Sequence, residues 1–183
     1  MMTPLGHLLF GYLFFLVLSK IYSRLSLSEF LFGALLPDID ALLLITGGYF
    51  LYHGMFTHSV FFLLFVAIIF GIRFSSVSIF AGGMLHLVID MVLADTNPLN
   101  GLGMRLLWPL SGVQFYLGWF DLSFFPSGYW VHLIQNAAYE IILFMAILIL
   151  YLVTYRLLTK RSFLSGFHAF LGPLKKTIKS FKN

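Results

Sequence analysis

Cysteine is absent from the 183 residues. Disulfides and thiolate metal sites are therefore both excluded, and the redox compartment is left open. Charge is almost as scarce: 10% of the residues are Asp, Glu, Lys or Arg, against 60% hydrophobic. A soluble domain of this length cannot hide so much apolar surface, because too many of its residues must face water. The start also lacks the marks of a cleaved leader. Met1 to Gly6 carry no basic side chain, and the first, Lys20, follows the apolar run. That segment is expected to stay as a first span. The class this leaves is an all-α membrane protein, a polytopic helix bundle in one unit.

Apolar stretches of about 18 residues or more are the signature of bilayer-crossing helices. They predict five spans, near Leu5–Tyr22, Leu27–Tyr52, Met55–Ile72, Phe74–Ala94 and Leu133–Tyr155. Pro37-Asp38-Ile39-Asp40 interrupts the second. Proline removes a backbone donor and clashes with the preceding turn, so the helix should break at Pro37-Asp38. A break at membrane depth is tolerated only against protein or a watery cavity, which turns both aspartates inward. Between spans four and five, residues 95–132 hold Trp108, Trp119, Tyr129 and Trp130, aromatics that favour the headgroup layer. An interfacial loop is expected there. Residues 1–158 then make the bundle and 159–183 a basic tail.

Net charge is +4, and six of the eleven basic residues follow Arg156 in that tail. A basic flank beside a span reads as topology and lipid contact rather than as a nucleic-acid surface, so membrane lipids are the expected partners. With five spans, Lys20 and Arg24, Arg73 and the tail fall on one side, with only Arg105 opposite. The positive-inside rule makes that side cytoplasmic and puts the amino terminus outside an inner membrane.

On this topology the polar residues converge. His7 opens span one, and His53 and His58 flank the turn between spans two and three. His86 and Asp90 lie about 12 and 16 residues into span four, roughly 18 to 24 Å from its inner end. Asp38 and Asp40 reach similar depth at the break. His86 and Asp90, as i and i+4, share a helix face and can grip one ion. Imidazole and carboxylate without thiolate suit zinc, manganese or iron(II), with zinc the default for hydrolysis. Any one such residue would ordinarily just hydrogen-bond a neighbouring helix. Several carboxylates together near mid-membrane, at about 2.5 kcal/mol or more each, call for a cation or a function. His132, Asn136 and Glu140 add a polar stripe to span five, with Gln135 and Tyr139 expected beside them. Gly82-Gly83 marks close helix packing. His168, in the tail, is on the wrong side to take part.

The ordered blocks Gly33-Ala34-Leu35-Leu36-Pro37-Asp38-Ile39-Asp40, His53 with Thr57-His58-Ser59, and His86-Leu87-Val88-Ile89-Asp90 resemble the YdjM-like family of membrane proteins. Thr3-Pro4-Leu5-Gly6-His7 and Leu106-Leu107-Trp108-Pro109 match that family's opening and closing blocks. The resemblance covers about residues 3 to 110 and implies metal-dependent hydrolysis. Through the family's distant similarity to the zinc-dependent phospholipase C and P1 nuclease group, it implies a phosphoester substrate, which a lipid can supply. Two departures stand out: Gly54 follows His53 where the family commonly has Arg, and the stretch from Asp90 to Trp108 is longer than usual.

The expected site therefore has His7, Asp38, Asp40, His53, His58, His86 and Asp90 as ligands to one or more divalent ions, most simply zinc. Asp40 or Glu140 would accept a proton from the attacking water. Thr57 and Ser59 would orient ligands or substrate oxygens, although Thr57 equally suits the start of the third helix. Arg105 would clamp a phosphate. Two other readings use the same residues: a transporter or channel for divalent metals, which needs polar residues in the inner half, and a scaffold whose polar cluster only locks helix packing.

Overall fold

The computed structural model describes residues 3–46, 53–93, 103–117 and 129–181; side chains at 43–46, 93 and 129–133 fall outside that description. Helices α1 (Pro4–Ile21) and α2 (Leu27–Leu35) are followed by a 3-10 helix, Pro37–Thr46. Next come α3 (Val60–Gly71), α4 (Ser76–Leu93), α5 (Tyr129–Thr159) and α6 (Phe163–Ser180). The chain is all-helical among the described residues, apart from one antiparallel bridge between Met104 and Phe115.

Short polar signals set the boundaries. Thr3 caps α1 by accepting from the Gly6 amide at 3.2 Å, with Pro4 at the first helical position where its missing N–H costs nothing. Ser59 caps α3 from the Phe62 amide at 3.1 Å, and Ser162 caps α6 from Ser165. The α-helical part of the expected second span stops at Leu35, two residues before Pro37, and the chain goes on as a tighter 3-10 turn. The third helix begins five residues later than expected, because residues 53–59 form turns through Gly54 at φ 77° before Ser59 restarts the helix.

Among the described residues, two segments are long and apolar enough to cross a bilayer by length and composition, α1 and Ile134–Thr159 within α5. Val60–Gly71 and Ser76–Val92 are apolar but shorter. The structure therefore gives two full-length apolar helices where the sequence predicts five spans. Side chains such as Val17, Phe65, Ile68, Ile142 and Leu150 are exposed. Apolar surface on this scale, on several helices, suits a lipid surround.

The closest interior contact joins α2 and α4. A Cβ on Gly82 would stand 1.9 Å from the Phe30 carbonyl oxygen, and one on Gly33 2.1 Å from that of Ile79. Only glycine lets two helix backbones approach so nearly, as expected for the Gly82-Gly83 pair. Leu36, Leu63, Ile79 and Leu87 form one apolar cluster beside this contact, and Tyr12, Phe15, Phe30 and Leu148 another. The basic tail contains a packed helix: Phe170 of α6 is buried against Tyr12 and Tyr151, and the Tyr12 hydroxyl donates to its carbonyl.

Residues 103–117 cover the turn that carries His53 and His58. Arg105 N–H donates to the Gly54 carbonyl at 2.9 Å, and Val60 N–H to that of Leu106, also at 2.9 Å. Leu117 N–H reaches Met91 of α4 at 3.0 Å. Trp108, preceding Pro109 in a cis peptide, meets Phe56 edge-on. The expected interfacial loop thus folds over the end of the bundle that holds the histidines. Trp119 and the side chains of Tyr129 and Trp130 lie outside the described residues.

Candidate metal centre

Four chain segments bring their ligands together here. The first turn of α1 supplies His7, the start of the 3-10 helix Asp38 and Asp40, the 53–59 turn His53 and His58, and α4 His86 and Asp90. His7, His58, His86 and Asp90 are completely buried; Asp38, at 12% side-chain exposure, is the most accessible of the seven. Their atoms make three overlapping groups that could hold an ion: His7, His86 and Asp90; Asp38, His58 and His86; and Asp40, His53 and His58. All seven expected ligands fall within this one cluster.

Hydrogen bonds fix which nitrogen of His86 and of His58 is available. His86 Nδ1 lies 2.7 Å from the Ala34 carbonyl, which can only accept, so Nδ1 carries the hydrogen. In the neutral ring Nε2 then holds a lone pair, and it faces Asp90 Oδ2 at 3.2 Å and Asp38 Oδ1 at 3.7 Å. The Thr57 hydroxyl donates to Asp40 Oδ2 at 3.0 Å, so its oxygen accepts from His58 Nδ1 at 3.1 Å. That leaves His58 Nε2 as a lone pair 3.8 Å from Asp90 Oδ2. His7 stacks on His86, with centroids 3.6 Å apart, and its Nε2 stands 3.2 Å from Asp90 Oδ1.

The Nε2 atoms of His7, His58 and His86 and Oδ2 of Asp38 are buried without a hydrogen-bond partner among the described residues. Native proteins seldom leave such groups so, given the cost of each. A divalent cation between these nitrogens and the carboxylate oxygens would satisfy both, as would a proton on the imidazole. Nitrogen and oxygen donors with no thiolate match zinc or a similar divalent ion. The donor set thus fits a metal on both geometry and chemistry.

Asp40 has a different surrounding from Asp38 and Asp90. Its carboxylate accepts from His53 Nδ1 at 2.9 and 3.0 Å and from Thr57, and it lies 3.4 Å from His58 Nδ1. This matches the outer carboxylate that orients a metal-binding imidazole. Ser59 caps α3, its own hydroxyl donating to the Phe56 carbonyl at 2.8 Å. Ser59 rather than Thr57 therefore starts the third helix.

Glu140 is buried on α5 and receives two hydrogen bonds from Thr3, one from the amide at 2.6 Å and one from the hydroxyl. It thereby ties α5 to the residue that caps α1, four positions before His7. Asn136, one turn earlier, is also buried, as the stripe predicts. Tyr139 is 46% exposed, contrary to expectation, because one residue of helix turns it about 100° from Glu140. The His132 side chain lies outside the described residues. Arg105 is half-buried, and its backbone holds the loop next to His53. His168 is exposed on α6, in line with its expected exclusion from the site.

Sequence patterning does not reach the Ala34 carbonyl or the Thr3–Glu140 pair. The first is a backbone atom, and the second joins residues 137 apart. The Thr-Pro opening of the first helix was the only local hint of Thr3.

The profile of the family described as YdjM inner membrane protein matches residues 2–162. No protein of curated function and no solved structure matches the chain.

Proposed function

Since the chain belongs to the YdjM inner membrane protein family, we propose that it is a membrane-embedded, metal-dependent hydrolase of phosphoesters, with a lipid as the natural source of substrate. The observation that carries this is the set of buried imidazole lone pairs aimed at Asp38 and Asp90. His7, His86 and Asp90 would hold one ion, and His58 with Asp38 a second. His86 has one lone pair to give, so the overlapping groups favour at most two ions over three. Zinc is the favoured metal. When bound, it supplies Lewis acidity toward an ester oxygen and activates water near neutral pH.

The protein's own residues do the rest. Asp40 and Thr57 hold His58 in the tautomer that presents Nε2. Asp38, the most accessible carboxylate, is placed to accept a proton from attacking water. This shifts that role from Asp40, whose oxygens are taken by His53 and Thr57, and from Glu140, which is taken by Thr3. Arg105, on the covering loop, is offered as the clamp for a substrate phosphate. In the bilayer α2 with the 3-10 helix, α3 and α4 complete five crossings with α1 and α5, with the amino terminus outside and the carboxyl terminus cytoplasmic.

A conducting pathway is less well supported. Along the axis from His86 the Gly33 and Gly82 backbones meet with Ile79 and Leu87 packed beside them, which leaves little space for a hydrated ion. The test is metal content of the purified chain, together with release of phosphate or headgroup from a lipid panel. Turnover that is lost on chelation and in Asp90→Ala is the expected result. Turnover that survives both would defeat the proposal, and tightly bound metal with no turnover would favour transport.

A further inference from the structure

At the opposite end of α1 from His7 lies a second polar site. Ser19 follows His7 by 12 residues, about 18 Å along a helix. There α6 crosses the connection between α1 and α2 and borders a partly open cavity of about 440 Å³. Ser19, Ser23 and Ser26 line it from one side and Lys176, Thr177 and Ser180 from the other, with no carboxylate in its lining. In a chain that is 60% hydrophobic, so many hydroxyls around one lysine are a marked local departure.

Several of these hydroxyls have hydrogen to give. Ser180 and Ser19 are not among them, since each has already given its hydrogen, to the carbonyls of Thr177 and Leu16. The side chains of Ser23 and Thr177 make no hydrogen bond among the described residues. Ser26 and Ser28 share one contact at 3.2 Å, so one of the two hydroxyl hydrogens is left over. An ammonium and several hydroxyl donors around a cavity without negative charge suit a tetrahedral oxyanion. Glu29, the nearest acid in sequence, lines the adjoining groove with Phe32, Phe70 and Phe74, on the far side of Ser28, which borders both, and is not in the lining of this cavity.

The wall supplied by α6 also says what kind of anion. On that helix Leu164, Phe167 and Ile178 are exposed, while Phe170 is turned into the bundle. At about 100° per residue, Lys176 lies across the helix from Phe167 and Ile178, while Lys175 and Lys179 flank the exposed apolar side next to Leu164. A helix whose exposed apolar side is flanked by lysines lies in the plane of the headgroups, where anionic lipid attracts the ammonium groups. Helix α6 starts at Phe163, just past the family match at 162, so half of this cavity comes from outside the shared region.

We propose that this cavity binds the phosphate of an anionic phospholipid headgroup, with Lys176 as its charge partner and α6 lying in the membrane interface. The site is independent of the metal centre and of any hydrolysis there.

The full-length chain, in nanodiscs of phosphatidylcholine alone or with phosphatidylglycerol, is released into native mass spectrometry and the retained lipids are counted. One phosphatidylglycerol should remain in preference to phosphatidylcholine. Lys176→Ala should lower that retention about fivefold, Lys176→Arg should preserve it, and Lys179→Ala, outside the lining, should change it less than about twofold. A Ser23→Ala and Thr177→Val double variant, which keeps every charge, should also lower it. Adding inorganic phosphate should leave the lipid in place. Equal retention of both lipids, or equal loss in Lys176→Ala and Lys179→Ala, overturns the site in favour of diffuse attraction. Displacement by inorganic phosphate overturns the lipid assignment.

Discussion

At the scale of single residues, Asp90 and Asp40 look alike in the sequence, as carboxylates beside histidines, yet their surroundings give them different work. Asp90 faces His7 and His86 at 3.2 Å each, where an ion belongs. Asp40 is occupied by His53 and Thr57. Asp90→Asn should therefore abolish bound zinc, measured by elemental analysis of purified protein. Asp40→Asn should keep the stoichiometry while weakening affinity roughly 10- to 100-fold in a competition titration, the usual cost of losing an orienting partner. Ser59→Ala separates a third role: it should cost about 1 kcal/mol of stability through its lost helix cap and leave the zinc content unchanged. Equal zinc loss in Asp40→Asn and Asp90→Asn would make Asp40 a direct ligand. All seven ligand candidates were legible because histidine and aspartate are so costly in lipid that their presence is itself a signal. Their division of labour was not, since it depends on which tautomer Ala34 and Thr57 impose on His86 and His58.

At the scale of elements, the metal centre depends on how closely α2 approaches α4. Gly33 and Gly82 set that distance, and Ala34, next to Gly33, supplies the carbonyl that orients His86. Gly82→Ala should force the helices apart, costing upward of about 3 kcal/mol and lowering zinc affinity together with the melting temperature. Gly172→Ala on α6, where a Cβ would meet nothing within 4 Å, is the control and should be close to silent. A Gly82→Ala protein that melts normally and keeps its zinc would show that the approach is not limiting. The glycine pair and the Pro37 break could both be read from the sequence, because they act through local backbone chemistry. The start of α3 at Ser59 could not be fixed, since Thr57 offered itself as an alternative start and the turns through Gly54 and the covering loop decide between them. The docking of α6 also depends on distant partners, Tyr12 and Tyr151, which no local pattern names.

For the whole molecule the open quantity is how the bundle sits in the bilayer. Hydropathy alone supports five spans, whereas length and composition of the helices give two that are long enough, α1 and most of α5. The difference arises because α2, the 3-10 helix and α3 are short pieces joined by turns around the metal centre. Turns of that kind are acceptable at membrane depth only when they face protein or a watery cavity, and here they face the histidines. The charges agree with the five-span expectation: Lys20, Arg24 and Arg73 lie at the same end as α6, and Arg105 lies at the end with the metal centre. The absence of cysteine makes this directly measurable, because each engineered thiol is then the only one in the chain. Val113→Cys, exposed on the covering loop, should react with an impermeant maleimide added to intact cells. Ser23→Cys and Lys179→Cys should react only after the membrane is opened. Labelling of Val113→Cys and Lys179→Cys from the same side would require an even number of crossings between them and would bring the metal centre and the lysine helix to one face. Labelling from opposite sides would place the metal centre and the proposed headgroup site against different leaflets, as the positive-inside rule predicts from the distribution of basic residues.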